Sequence, residues 1–371
     1  MKVVIMKNNL KDGLMMVERA SGENLNLPIL RYAILEAQDD KIKITATNLE
    51  IAICYSLAGK VIEKGKISVP IATFLSLINN IQSERINLER RGGKLEIKTD
   101  NYEAGIQFLP TDDFPIIPKI KNETECIEIE GGIFKDALES VLAAAQFSDL
   151  RADLNNVLLD FSLDSFKLVA TDSFRLAEKT VGGNFFKTNY KDEFKVLIPL
   201  KTSQDLIRLI KDGEVLKIYK DQNQILFKTE RMEFISRLSD AVFPEYSPII
   251  PRDFEAEVVV NREEILTALK VTSVFSGSGN EIKIKIPESK KVMEIFSATQ
   301  EVGENKYILS VKSNKQLLEP IGFNWKYFSD ALRVLKTEEV FIGINEDNKP
   351  AVIKSVNEGS YFYILMPILK T

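Results

Sequence analysis

Two hydrophobic periods alternate along the chain. In "KIKITATNLEIAICYSLAG" (Lys41–Gly59) apolar residues stand at every second position from Ile42 to Ala46, and a polar turn then leads into a second apolar run, which is typical of a strand, a tight turn and a strand. In "GGIFKDALESVLAAA" (Gly131–Ala145) apolar residues recur at helical spacing from Phe134 to Leu142. The pattern therefore predicts an α+β fold in which antiparallel sheets carry helices on one side.

The same landmarks return in the same order three times. Ala-Thr pairs close a predicted strand at Ala46-Thr47, Ala170-Thr171 and Ala298-Thr299. A proline that ends a strand and begins a helix stands at Pro70 and again at Pro199. Correlated landmarks of this kind indicate internal duplication, so we infer one domain that occurs three times.

The repeat predicts both domain boundaries and helices. We place the three domains at 1–124, 125–252 and 253–371. Two helices are expected in each domain, at Asn8–Ala20, Ile71–Asn80, Gly131–Ala145, Leu200–Asp212, Asn261–Phe275 and Asn324–Thr337.

The amino-acid composition limits the kinds of catalytic and metal site that the chain can form. The chain has 371 residues, no histidine, two cysteines and a net charge of −5. The lack of histidine excludes Ser-His-Asp and Cys-His catalysis. Cys54 and Cys126 are too few for a four-cysteine zinc site, so we expect two buried thiols, no metal and no cofactor. No apolar run approaches ~20 residues and no signal peptide is recognised, so we expect a cytoplasmic protein that does not contact membranes.

The stretch "LVATDSFRLAEKT" (Leu168–Thr180) contains Asp172 and Ser173 at a predicted turn. The first repeat has Asn48 in place of Asp172, and the chain offers no histidine base for Ser173. We therefore predict that Asp172 shapes the turn rather than takes part in catalysis. Two alternatives stay open: a carboxylate-based enzyme on a repeated scaffold, and a repeat scaffold that binds proteins but not DNA.

Four segments resemble one known family. They are "RADLNNVLLDFSLDSFKLVATDSFRLAEKTV" from Arg151, "FPEYSPIIP" from Phe243, "MPILKT" from Met366 and "NLPIL" from Asn26. Together they resemble the bacterial DNA polymerase III beta subunit, the sliding clamp, over the whole chain and in the right order. The resemblance implies a head-to-tail homodimer that closes into a ring of six domains, with sheets outside and helices facing a central hole.

The resemblance also implies a function. Such a ring encircles duplex DNA without sequence preference and acts as a processivity factor, and it is not an enzyme. It is opened by an ATP-driven loader. The implied partners are DNA polymerase III alpha, clamp-loader subunits, and other polymerases and repair proteins with clamp-binding peptides.

In this family, peptides of the Gln-Leu-x-Leu-Phe type dock in an apolar cleft between the second and third domains. Matching the motifs places in that cleft Leu154, Thr171, Ser173, Phe174, Arg175, Leu176, Pro244, Pro248, Ile249, Ile364, Met366, Pro367 and Ile368. Phe174 stands where His is common, and Pro248 where a basic residue is frequent. The tail ends in Ile-Leu-Lys-Thr instead of Arg.

The remaining assignments concern DNA and the partner chain. The DNA-facing set implied by the resemblance or by helix placement is Asn24, Asn79, Arg151, Lys201, Arg208, Lys326 and Arg333. Asn24 and Asn79 occupy places where Arg is expected. The six predicted helices carry a net charge of +2 in a chain of −5, a modest excess of positive charge. Val274 and Phe275 match a position in the family's dimer interface.

Overall fold

The first two repeats contain the same succession of strands and helices, and the third differs in having one long strand where the others have two. The structure, a computed structural model, describes residues 1–22, 26–39, 41–121 and 123–369. The first repeat consists of β1 (Lys2–Met6), α1 (Lys7–Glu18), β2 (Tyr32–Gln38), β3 (Lys41–Thr47), β4 (Ile51–Leu57), β5 (Gly59–Glu63), β6 (Gly65–Pro70), α2 (Ile71–Asn80), β7 (Arg85–Arg91), β8 (Lys94–Lys98) and β9 (Glu103–Gln107). The second repeat consists of β10 (Ile127–Glu130), α3 (Gly131–Leu142), β11 (Asn156–Phe161), β12 (Ser165–Thr171), β13 (Arg175–Gly182), β14 (Phe186–Thr188), β15 (Phe194–Pro199), α4 (Leu200–Leu209), β16 (Val215–Lys220), β17 (Gln224–Lys228) and β18 (Met232–Arg237). The third repeat consists of β19 (Ala256–Asn261), α5 (Arg262–Thr272), β20 (Glu281–Ile286), β21 (Val292–Thr299), β22 (Gly303–Ser313), β23 (Leu317–Asn324), α6 (Trp325–Val334), β24 (Glu339–Ile344), β25 (Ala351–Ser355) and β26 (Tyr361–Leu365).

All six predicted helices are present, most of them shorter than predicted. Pro70 and Pro199 each end a strand and lead directly into a helix, as the sequence predicted. The predicted fifth helix ends early, because α5 stops at Thr272 and a 3-10 turn continues it through Phe275. Asn261 caps α5, since its side chain accepts hydrogen bonds from the backbone of Glu263 and Glu264.

The described residues form two compact units. The first unit comprises Met1–Gly132, Phe186–Tyr190 and Arg208–Leu238. The second unit comprises Ile133–Phe185, Lys191–Ile207 and Ser239–Thr371. The three domain boundaries given above remain a prediction.

The first unit contains two antiparallel sheets. One has five strands in the order β5-β1-β7-β8-β9, and the other has nine in the order β14-β10-β16-β17-β18-β4-β3-β2-β6. The pairing of β18 with β4 joins the second repeat to the first, with Ile235 opposite Ala52. Helix α1 packs closely on β3 and β4, since a Cβ added to Gly13 would lie 2.3 Å from Leu57 Cδ2.

The second unit contains one antiparallel sheet of twelve strands. Its order is β15-β11-β12-β13-β26-β25-β24-β19-β22-β21-β20-β23. The pairing of β13 with β26 joins the second repeat to the third, with Leu176 opposite Ile364. Helices α5 and α6 bury Leu269 and Leu332 in the core of this unit. The strand order thus repeats across the chain, as expected for three similar domains.

The expected thiols are present, but both are half-buried instead of fully buried. Cys54 and Cys126 are free, and burial raises the pKa of each thiol. Over the described ranges, no group of acidic and cysteine side chains is arranged to hold a metal ion. Within the same ranges, no helix combines the length and the apolar character that crossing a bilayer requires.

Candidate functional site

The Asp172 turn connects β12 to β13. The Asp172 carboxylate accepts hydrogen bonds from the backbone N–H of Phe174 at 3.0 Å and of Arg175 at 3.1 Å. The Thr171 hydroxyl donates to the Arg175 carbonyl at 2.7 Å. Ser173 has φ +79°, a left-handed conformation that a turn of this kind imposes. The predicted structural role of Asp172 is therefore confirmed.

The corresponding turn of the third repeat is shorter. Thr299 pairs directly with Gly303, so three residues connect the strands there, whereas four connect Thr171 with Leu176. The left-handed position falls on Gly303 at φ +111°. The Ala-Thr landmark therefore marks equivalent strands in all three repeats, but it does not mark one turn type.

Arg175 lies on the helix side of the sheet. Its guanidinium donates to Asp172 at 2.8 Å and to Asp330 of α6 at 2.7 Å, and it stands 4.0 Å over the ring of Tyr327. Burial lowers the pKa of Arg175, but Tyr363 and Asp172 raise it, and the net direction is upward. Asp330 and Tyr327 carried no recognisable signal in the sequence.

Arg175 therefore stands apart from the rest of the predicted cleft. Successive strand residues face opposite sides, so Leu176 points away from the helices. On that outer side a buried apolar cluster is formed by Leu158, Val169, Leu176, Leu197, Val352 and Ile364. Half-buried side chains that pack against it include Phe243, Tyr246 and Phe362.

The C-terminal tail is held against this side by backbone hydrogen bonds. The N–H of Met366 donates to the carbonyl of Phe174 at 2.8 Å, and the N–H of Ile368 donates to Gly322 at 2.8 Å. Pro367 is buried, whereas Met366 and Ile368 are half-buried. The Phe174 side chain is 61% exposed, so Phe174 and the hydrogen-bonded Met366 form an apolar rim at the surface.

The segment that follows β18 supplies the other predicted cleft residues. Pro244 is half-buried, Pro248 is exposed, and Ile249 is 47% exposed in a 3-10 turn. Leu154 is buried in another 3-10 turn, so it is core rather than surface. The structure thus places Phe174, Leu176, Ile364 and the tail together, whereas Arg175 faces α6.

A buried carboxylate attaches this segment to the sheet. The Tyr246 hydroxyl donates to Glu178 of β13 at 2.7 Å, and Lys167 lies 3.0 Å from the same carboxylate. Burial and this hydrogen bond raise the pKa of Tyr246. Sequence reasoning did not identify Glu178 or Tyr246, although an acidic residue in the middle of an apolar strand was a usable signal.

The residues predicted to face DNA differ in their surroundings. Exposed side chains on the helices are Asn79 of α2, Lys201 and Arg208 of α4, and Lys326 and Arg333 of α6. Asn24 lies outside the described residues. The observed helices together carry a net charge of +1, less than predicted, because Lys336 follows the end of α6.

Arg151 lies beside the Asp172 turn and is paired with a carboxylate. Its guanidinium pairs with Asp153 at 2.8 Å and lies 3.4 Å from the Ser173 hydroxyl. A hydrogen bond with Asp153 raises the pKa of Arg151. A phosphate would therefore have to compete with Asp153 for this side chain.

The predicted dimer residues lie in the 3-10 turn after α5. Val274 is 66% exposed and Phe275 is half-buried. This turn packs beside β22, and Ile308 of that strand and Val302, the residue before it, are each 54% exposed. In the described part of the chain, residues 303–310 of β22 pair with β21 alone, and β9 pairs with β8 alone. Each of the two strands therefore has an unpaired edge.

Comparison with known protein families covers nearly the whole chain. Residues 1–118 match the model described as DNA polymerase III beta subunit, N-terminal domain. Residues 128–245 match the central domain of the same subunit, and residues 247–369 match its C-terminal domain.

Similar proteins agree with those matches. A protein named beta sliding clamp from Chlamydia pneumoniae is 26% identical over 369 residues, which are 99% of each chain. A beta sliding clamp from Bacillus subtilis is 26% identical over 384 residues, again 99% of each chain. The crystal structure of the DNA polymerase III beta subunit from Thermotoga maritima aligns with a TM-score of 0.91 at 26% identity, over 100% of both chains. The chain therefore belongs to the DNA polymerase III beta subunit family, the beta sliding clamps.

Proposed function

We propose that two chains pair head to tail, the third repeat of one chain with the first repeat of the other. The pair forms a closed ring that encircles duplex DNA. The observation that carries this proposal is the pairing between repeats. Within the chain, β4 pairs with β18 and β13 pairs with β26. By the repeat, β22 corresponds to β4 and β13, while β9 corresponds to β18 and β26. Their edges are unpaired in the described chain, so β22 of one chain and β9 of another would complete the pattern.

The surroundings of the two edges support this pairing. Exposed apolar side chains border the edge of β22, namely Val274, Val302 and Ile308. Ile106 of the edge strand β9 is half-exposed. The strands that correspond to β9 in the other two repeats, β18 and β26, are largely buried. An interface that covers these side chains would remove apolar surface from water. Each chain offers one edge of each kind, so two chains close a ring in which both of these edges are paired.

A ring retains DNA by its topology. Contacts to phosphate can then be weak and independent of sequence, since strong attraction would impede sliding. The small positive charge of the helices, in a chain of net charge −5, suits that requirement. The DNA-facing set inferred above is part of this proposal, and the cytoplasm is the compartment in which a bacterial replication clamp meets DNA.

We further infer that the clamp tethers its partners and has no catalytic activity of its own. Asp172 and Asp330 are both paired with Arg175, which favours a structural role over acid–base chemistry. The apolar rim formed by Phe174 and Met366 above the Leu176–Ile364 cluster fits the leucine and phenylalanine anchors of a short peptide. The proposed partners are the replicative polymerase, the loader and other polymerases and repair proteins.

Retention on circular DNA tests the encirclement directly. We expect the clamp, loaded by an ATP-driven loader onto nicked circles, to remain bound at moderate salt. Cutting the circle at one site should release it, because the ring then slides off an end. Release that does not depend on DNA ends would refute encirclement and favour a scaffold that only binds proteins.

A substitution at the predicted interface tests the dimer. We expect Phe275→Glu to yield monomers in sedimentation, because the edge of β22 would then carry an unpaired charge at the interface. Phe185, which is 52% exposed elsewhere in the same unit, provides the control, and Phe185→Glu should leave dimers. Dimers of unchanged stability in the Phe275→Glu variant would show that the interface lies elsewhere.

A substitution at the rim tests the cleft. We expect Phe174→Glu, and separately deletion of residues 366–371, to abolish binding of a Gln-Leu-Ala-Leu-Phe peptide while the oligomeric state is unchanged. Leu163 is 51% exposed on a different turn of the unit, and Leu163→Glu should bind the peptide normally. Normal binding by the Phe174→Glu variant would mean that the cleft is misplaced.

A further inference from the structure

The junction between the first and second repeats reproduces the backbone of the proposed cleft. At this first junction the Asn48 side chain accepts from the N–H of Glu50 at 3.0 Å and of Ile51 at 2.9 Å. The Thr47 hydroxyl donates to the Ile51 carbonyl at 2.7 Å, and Leu49 has φ +79°. Each of these features equals its counterpart in the Asp172 turn to within about 0.2 Å or to the degree.

The strand beside the turn is also equivalent. The N–H of Arg237 donates to the carbonyl of Glu50 at 3.0 Å, as the N–H of Met366 does to Phe174. Ile235 stands opposite Ala52, as Ile364 stands opposite Leu176. Glu50 therefore occupies the position of Phe174, and Arg237 occupies the position of Met366.

An open cavity of about 420 Å³ lies at this first junction. Its lining includes Thr47, Ala52, Pro118, Asn223 and Ile235, so part of its floor is apolar. The site is therefore not filled by the protein's own side chains. It differs from the proposed cleft in the smaller Ala52 at the position of Leu176 and in the chemistry of the rim.

At the first junction that rim is an ion pair. Glu50 and Arg237 lie 3.6 Å apart and are 70% and 67% exposed. Both charges are hydrated, and an apolar peptide side chain that settled over them would remove that water without replacing its hydrogen bonds. At the second junction, between the second and third repeats, the same two positions carry Phe174 and Met366. These apolar side chains give up no hydrogen bonds to water when an apolar anchor covers them.

We propose that Glu50 and Arg237 are the specificity determinants that keep the first junction closed to the partner peptide, so that each chain offers one peptide site instead of two. This inference rests on the proposed peptide-binding role of the second junction. It treats the two junctions as sites with equivalent backbones and different rims.

The test exchanges the rims. A fluorescently labelled Gln-Leu-Ala-Leu-Phe peptide is titrated with each protein, and the number of sites per chain is measured by anisotropy and isothermal titration calorimetry. The wild type should bind one peptide per chain. The Glu50→Phe/Arg237→Met variant should bind two, the second about ten- to hundred-fold more weakly because Ala52 buries less apolar surface than Leu176.

A second set of variants isolates the new site. Phe174→Glu/Met366→Arg should bind no peptide, and adding Glu50→Phe/Arg237→Met to it should restore one site per chain. The charge-reversed control, Glu50→Arg/Arg237→Glu, keeps an ion pair and should still bind one peptide at the second junction alone. Should the Phe/Met exchange unfold the protein, as judged by circular dichroism, Glu50→Leu/Arg237→Leu tests the same point.

The outcomes separate the two proposals. One site per chain in every folded apolar-rim variant, or two sites per chain in the wild type, would overturn the role of the ion pair and leave the cleft in place. No binding by the wild type would overturn the cleft itself, and this inference with it.

Discussion

The turns at the first and second junctions have the same backbone conformation but different buried side chains. Asn48 and Asp172 accept the same two backbone hydrogen bonds, so the turn needs a short side-chain oxygen but not a charge. The fourth position differs, because it is the buried Ile51 in one turn and the buried Arg175 in the other. An acidic first residue therefore allows a buried cation at the fourth, and that cation ties the turn to Asp330 of α6.

The largest expected difference comes from the fourth position. Arg175→Met should lower the free energy of unfolding by about 3–5 kcal/mol, because it leaves the buried side chain of Asp172 without its cationic partner and Asp330 with only the more distant Arg333. Ile51→Met, the matched change at the first junction, should cost less than about 1.5 kcal/mol, since it exchanges apolar side chains of similar volume. Urea denaturation followed by circular dichroism measures both, and equal losses would contradict the comparison.

The first position should show a smaller difference. Asp172→Asn keeps the acceptor for the turn but removes the charge that faces Arg175, so we expect a loss of about 1.5–3 kcal/mol. The reciprocal Asn48→Asp should change stability by no more than about 0.5 kcal/mol, because Ile51 offers no charge to pair with. Urea denaturation measures the stability of both variants. A large loss of stability in the Asn48→Asp variant would show that the charge itself matters to the turn.

The left-handed position should behave alike in both turns. Ser173→Gly and Leu49→Gly should each raise stability by about 0.5–1 kcal/mol, since glycine adopts positive φ without steric cost but loses more entropy on folding. Hydrogen exchange of the flanking strand amides measures the local gain. A gain at one turn and a loss at the other would show that the two backbones are not energetically equivalent.

The smallest effect is expected from the exposed ion pair of the first junction. A double-mutant cycle with Glu50→Ala and Arg237→Ala should give a coupling of less than about 1 kcal/mol, and added salt should reduce it. A larger coupling that resists salt would mean that the pair supports the fold instead of setting the chemistry of the rim.

The periodic features were accessible from the sequence because they are local. Six helices, the strands of each repeat and the Asn48 and Asp172 turns follow from spacing and from side chains that bond to their own backbone. The alternation that predicts strands also predicts opposite faces for Arg175 and Leu176. The predicted cleft, which includes both residues, follows the family resemblance and stays a prediction.

The contacts that build the candidate site were not accessible in this way. Leu176 faces Ile364, and Arg175 reaches Asp330, across more than 150 residues of chain. An edge strand presents the same backbone donors and acceptors whatever its sequence, so its partner is chosen by the packing of the whole sheet. Tyr246 reaches Glu178 only because the chain folds back over that sheet.

The sequence by itself determined the threefold repeat, the order of elements and the conformation of two turns, since each depends on neighbours a few residues apart. Only the tertiary structure decided which strand edges meet, which face each side chain takes, and that Glu50 and Arg237 stand where Phe174 and Met366 stand in the next repeat. Those features depend on pairing between distant strands, and the free energy of that pairing is spread over the whole sheet.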